Sequence, residues 1–265
     1  MKGFLLSFRS EFYKSRKTLS FWASVLLPFL ICLFLFIGFY TNSEQLSRME
    51  PIRLWFQFAG TILSIMGTLL LPIYAIFIAY AVNSIEHRAD TWKSLFSLPI
   101  SRWAVYTAKY AYAVFLIFLC LSLFMLFTIG FGNLLSVVKP QLRFDNYHME
   151  KELAQIYFKL FLSSLGILSI QFLLSLLWAD FLKPMGIGFV CTIAGVIAAS
   201  KNWEYSYAFP YSQPAVAIST MIHRGNEAMK EIEIDVFTSD VMISLIISVI
   251  VFIGGYFIVL RKSVK

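Results

Sequence analysis

Apolar runs of about 20 residues recur along this chain, and a run of that length with few charges can satisfy its backbone in hydrocarbon only as a helix. Six can be marked, at residues 19–40, 55–83, 103–130, 156–179, 184–200 and 241–260. Of the 265 residues 59% are hydrophobic and 14% charged, where a soluble domain carries about 25% charged residues. No water-soluble core of this length could hide so much apolar surface. The expected fold is an all-α polytopic membrane protein: one transmembrane domain over residues 1–265 with six spanning helices. Pro72 falls inside the long second run and predicts a kink or tilt there. The run at 21–40 is too long for a secretory signal and no small-x-small cleavage site follows it, so it is expected to stay as the first span.

Charge sets the orientation. The N-terminus, the 84–102 loop with Lys109 just beyond it, the 180–183 turn and the C-terminus together hold thirteen of the 22 basic residues and four of the 15 acidic ones. The opposite side holds nine basic and eleven acidic residues. The net charge of +7 therefore reports topology and not nucleic-acid binding. The basic side is cytoplasmic, with both termini inside a cell membrane. Trp22, Trp55, Trp103, Trp178 and Trp203 lie near run ends, where an amphipathic ring prefers the headgroup level.

Chemistry-bearing patterns are few. Cys32, Cys120 and Cys191 all sit in apolar runs and read as small buried hydrophobes, not as disulfides or metal ligands. His87, His148 and His223 are scattered over loops, and no H-E-x-x-H or G-x-S-x-G occurs, which speaks against an intramembrane hydrolase. The middles of the runs carry almost no ionisable residue, which speaks against a proton-coupled carrier or channel. Gln57, Asn83 and Gln171 read as interhelical hydrogen-bonding groups. In the fifth run Cys191, Gly195 and Ala199, with Ala194 and Ala198, form small-residue stripes suited to close packing. No cofactor or metal site is expected.

Two cytoplasmic stretches are amphipathic. At the N-terminus Phe4, Leu5, Phe8 and Phe12 make an apolar stripe beside Arg9, Lys14, Arg16 and Lys17, so residues 1–18 are expected to lie in the interface plane. Between the second and third runs, E-H-R-A-D-T-W-K-S-L-F-S-L-P-I-S-R (residues 86–102) predicts a short helix. Asp90 or Thr91 can cap it, Trp92, Leu95 and Phe96 share one face, and Pro99 stops it. Ser101 can then cap the third span. Physics alone leaves two readings open: an interfacial helix on anionic lipid, or a knob that docks into a cleft of a cytoplasmic partner.

An amphipathic N-terminal helix with E-x-x-K (Glu11, Lys14), six spans, and E-x(4)-T-W-x-x-L-x-x-x-P-I-S-R after the second span resemble ABC-2-type transporter permeases. In layout the chain is similar to the bacitracin-resistance and lantibiotic-immunity members. The resemblance implies that the 86–102 helix is the coupling helix seated in a groove of a separate ATPase subunit. Glu86, Arg88, Thr91, Trp92, Leu95, Phe96, Pro99 and Arg102 would make that contact. The N-terminal helix, with Phe8, Glu11, Phe12 and Lys14, would be the connecting helix beside it. The chain has no G-x-x-x-x-G-K-[ST] to cradle phosphates, so ATP and magnesium would belong to the partner ATPase, and this chain is not itself an enzyme. The resemblance also implies a second permease subunit, identical or paralogous, and an exported amphiphilic, peptide or lipid-like substrate, with antimicrobial-peptide immunity as one form. The rival reading is a non-transporting scaffold or sensor that anchors a cytoplasmic partner.

On the outer side, residues 201–220 are aromatic and apolar but broken by Pro210 and Pro214. They are too short and interrupted to span, and predict a re-entrant segment before the sixth span. The stretch 131–155 reads as a polar, mixed loop.

Overall fold

The computed structural model describes residues 2–89, 99–146, 149–201, 203–219 and 234–261. Among them all regular structure is helical, and six helical units are long and apolar enough to cross a membrane. In chain order the elements are α1 (Lys2–Ser15), α2 (Leu19–Thr41), a short α3 (Ser43–Leu46), α4 (Pro51–Ile65), a π-helical turn (Met66–Leu70), α5 (Leu71–Ala89), α6 (Arg102–Val138), α7 (Glu150–Leu177), α8 (Leu182–Ser200) and α9 (Ser239–Arg261). The α4–α5 unit and α7 are the most enclosed, and α2, α8 and α9 lie at the periphery.

The irregularity expected at Pro72 takes the form of the π-turn just before it. Leu71 N–H bonds to the Met66 carbonyl, five residues back. Pro72 has no N–H for the carbonyl of Thr68, and in an α-helix its ring would strike that carbonyl. Widening the turn removes the clash.

Two expectations need correction. The stretch 131–155 is mostly helix: α6 runs on to Val138 and α7 starts at Glu150, joined through short 3₁₀ turns at Pro140–Leu142 and Phe144–Asn146. Hydropathy marks where the apolar content ends and not where the helix ends. Leu135 is still fully buried, and Gly132 meets the Trp55 ring too closely to admit a side chain. Trp55 is likewise not a headgroup-level anchor. It is 2% exposed, its Nε1 donates to the Phe144 carbonyl at 2.8 Å, and it packs edge-on to Phe58 and Phe144. Trp22, Trp103 and Trp203 are exposed, as an interfacial belt requires.

Lys109 and Lys159 are both buried, each in the first part of its helix, α6 and α7. The fourth span was expected to begin at residue 156, which left Lys159 at its edge; the helix begins at Glu150.

Small polar side chains stitch the helices together, as expected where apolar burial alone gives no preference between helix and lipid. Between α7 and α9, Ser244 Oγ donates to the carbonyls of Leu162 and Ser163 at 3.0 and 2.9 Å and accepts from Gly166 N–H at 3.0 Å. One turn further along, Tyr110, Ser169 and Ser248 share a three-way hydroxyl contact. Asn83 Nδ2 donates across to Ser175 Oγ at 2.8 Å. Gln171 also bonds between elements, whereas Gln57 is exposed.

On α8 the buried face runs Pro184, Gly188, Thr192, Gly195, so of the anticipated small stripe it is Gly195 that makes the tight contact. A Cβ there would lie 2.5 Å from the Tyr211 carbonyl oxygen and 2.8 Å from Ser212 N, both backbone atoms with no freedom to give way. Gly195→Ala is expected to cost about 1–3 kcal/mol by overpacking. Gly186→Ala, whose methyl meets nothing within 4 Å, is expected to cost nothing. Paired thermal melts in one detergent check this.

Candidate functional site

The E-x-x-K spacing places Glu11 and Lys14 one turn apart on α1, and Ser15 continues the same face. This face, Ser7–Glu11–Ser15, is the buried side of α1. Leu5 is 63% exposed and Phe12 37%, while Phe8 is partly buried beside the polar residues. The helix thus turns its polar residues to the protein together with one edge of its apolar stripe. The reason lies in what it packs on, the first turns of α6 and the last turn of α5.

Glu86 stands in the last turn of α5. A carboxylate there opposes the helix dipole and needs cations nearby. Lys109, two turns into α6, supplies one. Its Nζ donates to Glu86 Oε2 at 2.5 Å, to Glu11 Oε2 at 3.0 Å and to the Val82 carbonyl at 3.2 Å. Lys14 supplies the other, with Nζ 2.9 Å from Glu86 Oε1 and 3.0 Å from Glu11 Oε1. Each carboxylate bridges both ammonium groups, so the four side chains close a ring. Two negative and two positive charges cancel. Lys109, Glu86 and Glu11 are buried, and only Lys14 keeps partial contact with solvent.

Burial acts to lower the Lys14 pKa, but the pull of Glu11 and Glu86 outweighs it and the pKa is raised. A raised lysine pKa stabilises the fold below the ordinary lysine value, and that contribution is lost as pH rises through the raised one. Lys14 therefore keeps its charge, and its two ion pairs, at every physiological pH.

The surroundings hold the ring in place. Ser15 Oγ and the Tyr112 hydroxyl are in close contact. The Phe8 ring packs edge-on to Tyr112 and Phe115. His87 Nε2 lies 3.0 Å from the Ser175 carbonyl, which ties the end of α5 to the end of α7. Ser101 Oγ accepts from Ala104 N–H at 3.2 Å, the cap expected for the third span. Arg102 Nη1 donates to the Leu260 carbonyl in the last turn of α9 at 3.4 Å.

Of the twelve residues singled out from sequence, Glu11, Lys14 and Glu86 meet in the ring and Phe8 packs beside it. Phe12 is exposed and packs edge-on to Phe21. Arg102 reaches α9, while Arg88 and Pro99 are exposed. Thr91, Trp92, Leu95 and Phe96 lie outside the described residues. Lys109, the member that completes the ring, was read only as part of the positive flank. Its position two turns inside an apolar helix was the signal that it must be paired. Among the described residues no group of His, Cys, Asp and Glu could hold a metal ion.

A comparison with protein families matches the model described as "ABC-2 family transporter protein" to residues 7–195. The match runs from α1 through most of α8 and includes all four residues of the ring. The chain belongs to the ABC-2 transporter family. No curated protein and no solved structure matches it. As an ABC-2 permease it is a multi-pass membrane subunit of an ABC transporter, a family that works with an ABC ATPase. In this permease the charged ring sits where both ends of the 90–101 connection return to the bundle.

Proposed function

We propose that this permease subunit takes its drive from the ATPase through residues 86–102 and passes it to the spans through the Glu11–Lys14–Glu86–Lys109 ring. The ATPase-facing contact comprises Glu86, Arg88, Thr91, Trp92, Leu95, Phe96, Pro99 and Arg102. The connecting helix is α1, with Phe8, Glu11, Phe12 and Lys14. The observation that carries the reading is the ring itself. It joins α1, α5 and α6 by ion pairs at the two roots of the 90–101 connection. A push on that connection then moves three helices as one body, because separating buried partners is costly.

In this reading the subunit pairs with a second permease, identical or paralogous, in the cytoplasmic membrane, with both termini inside. ATP-driven closure of the ATPases switches a cavity between the two subunits. The direction is export, and the substrate is amphiphilic, peptide or lipid-like, as in self-protection against a membrane-active peptide. The apolar, aromatic surface of the spans suits such a cargo.

The test replaces Trp92 and Leu95 together by aspartate in a tagged chain, purified in mild detergent from its native membrane. The parent chain is expected to bring down a P-loop ATPase near one-to-one. The double variant is expected to lose it while melting at the parent temperature. Unchanged co-purification of the ATPase would remove the coupling role.

A further inference from the structure

On the side of α1 away from the charged ring, Leu5, Arg9, Tyr13 and Arg16 follow one another at i+4 and i+3 spacing, and all four are exposed. Both guanidinium groups rest on the ring between them. Arg9 Cζ lies 5.4 Å and Arg16 Cζ 5.2 Å from the Tyr13 centroid, within cation–π range. Arg9 Nη2 also donates to the Tyr13 hydroxyl at 3.3 Å. That bond, with the arginine charge, lowers the hydroxyl pKa and makes its own proton a better donor. Among the described residues nothing accepts that proton, and neither arginine forms an ion pair. The one acid of α1, Glu11, is drawn inward by Lys14 and Lys109. The outward face is therefore cationic and has no counter-charge of its own.

This face runs on into a membrane span. Phe12 packs edge-on to Phe21, and Phe21 to Trp22, so a row of rings passes from α1 onto α2. From there α2 exposes Leu19, Trp22, Leu26 and Leu30 at helical spacing, one stripe along a helix apolar enough to cross the bilayer. A surface that joins the exposed stripe of a span at its first turn lies at headgroup depth. Leu5 and Leu6, both exposed, suit the boundary with the acyl chains, and the arginine stems let the charged heads reach the phosphates. An acidic protein surface would match the charge but would leave the leucines and the continuity with α2 without a reason.

We propose that the Arg9–Tyr13–Arg16 face of α1 is a binding site for the phosphate headgroup of an anionic phospholipid. The two guanidinium forks take the phosphate oxygens, for which their planar geometry is suited, and the Tyr13 hydroxyl donates a third bond. Glu11 and Ser15 leave the opposite side of the same helix, so a lipid held here fastens α1 to its neighbours from outside. A ligand that binds only the folded chain stabilises it by mass action. The inference does not depend on coupling to an ATPase, nor on the direction or substrate of transport.

The test is photo-crosslinking of the full chain in phosphatidylcholine nanodiscs, which leave both membrane faces open. The discs carry a trace of photoreactive phosphatidylglycerol or of its phosphatidylcholine counterpart, each with a diazirine close to the glycerol. Digestion and mass spectrometry map the labelled residues. In the parent, phosphatidylglycerol is expected to label residues 5–16 well above phosphatidylcholine, while α8 and α9 take up both lipids alike. Arg9→Gln with Arg16→Gln is expected to cut that excess roughly tenfold, for two arginines lost from an anionic surface, and to leave α8 and α9 as they were. Both side chains are exposed, so the pair is expected to melt like the parent in phosphatidylcholine discs. Should it fail to fold, each single glutamine variant is expected to cut the excess about threefold. Arg143→Gln, at an exposed arginine elsewhere, is the control and should change nothing. Tyr13→Phe keeps the ring and loses the third donor, and is expected to fall between parent and pair. Equal labelling of α1 by the two lipids would overturn the site, as would an excess that survives the loss of both arginines. Labelling of the spans with none on α1 would put protein against this face and overturn it as well.

Discussion

Replacing Lys109 by methionine is expected to destabilise the chain by about 3–5 kcal/mol, the usual loss when one partner of a buried ion set is removed. Methionine fills most of the space of the lysine stem, so packing is nearly conserved. What changes is charge. Glu11 and Glu86 are left facing each other with Lys14 alone between them, and the Val82 carbonyl loses its donor. Reversible unfolding from mixed micelles measures the loss. The combination Lys109→Met with Glu11→Gln should recover part of it, because Glu86 and Lys14 then balance. Lys109→Arg is not a safe substitute: the planar guanidinium needs a wider site than a point-like ammonium, and it should fall between parent and methionine. If Lys109→Met melts like the parent, the ring contributes nothing to the fold, and its role as the joint of three helices falls with it.

Trp55→Ala is expected to cost a similar amount, about 3–5 kcal/mol, for a different reason. The indole is enclosed by Phe58, Phe144 and Gly132 near the start of α4. Gly132 has no side chain with which to fill the hole. The Phe144 carbonyl would also lose its bond from Nε1. Trp55→Phe separates the two contributions, since it keeps most of the ring and loses the donor; the hydrogen bond alone is worth about 0.5–1.5 kcal/mol. Trp203→Ala, at an exposed ring, is the control and should scarcely shift the unfolding midpoint in the same assay.

The spans could be read from the sequence because the bilayer imposes a length and a composition on each one separately. All six apolar runs became helices of the expected order. Their ends were harder to read. Helix α6 continues eight residues past the end of its apolar run because Leu135 and Gly132 pack on neighbours, and hydropathy does not register packing. Trp55 failed in the same way: a tryptophan at a span end looks identical whether it meets headgroups or lies under a connecting turn.

The ring was half legible. Glu11 and Lys14 announce themselves by spacing on one helix. Their union with Glu86 and Lys109 spans 98 residues of sequence in one pair and 23 in another, and no local rule carries that far. Lys109 was counted among the positive-inside residues, a count that is silent about its partners. Amphipathicity predicted that α1 would lie in the interface. It did not predict that Glu11, Lys14 and Ser15 would meet the protein together with Phe8.

All four members of the ring lie within the first 109 residues, on α1, α5 and α6. That order matters while the chain is still emerging from the ribosome. Until the third span is inserted, Glu11 and Glu86 have Lys14 as their one cation from this set and are best left in water at the membrane surface. Arrival of Lys109 neutralises them and lets α1 settle on its neighbours. The amino-terminal half therefore carries its own completion signal, available before α7, α8 or α9 has been made, in keeping with the general tendency of nascent chains to consolidate from the first-made end.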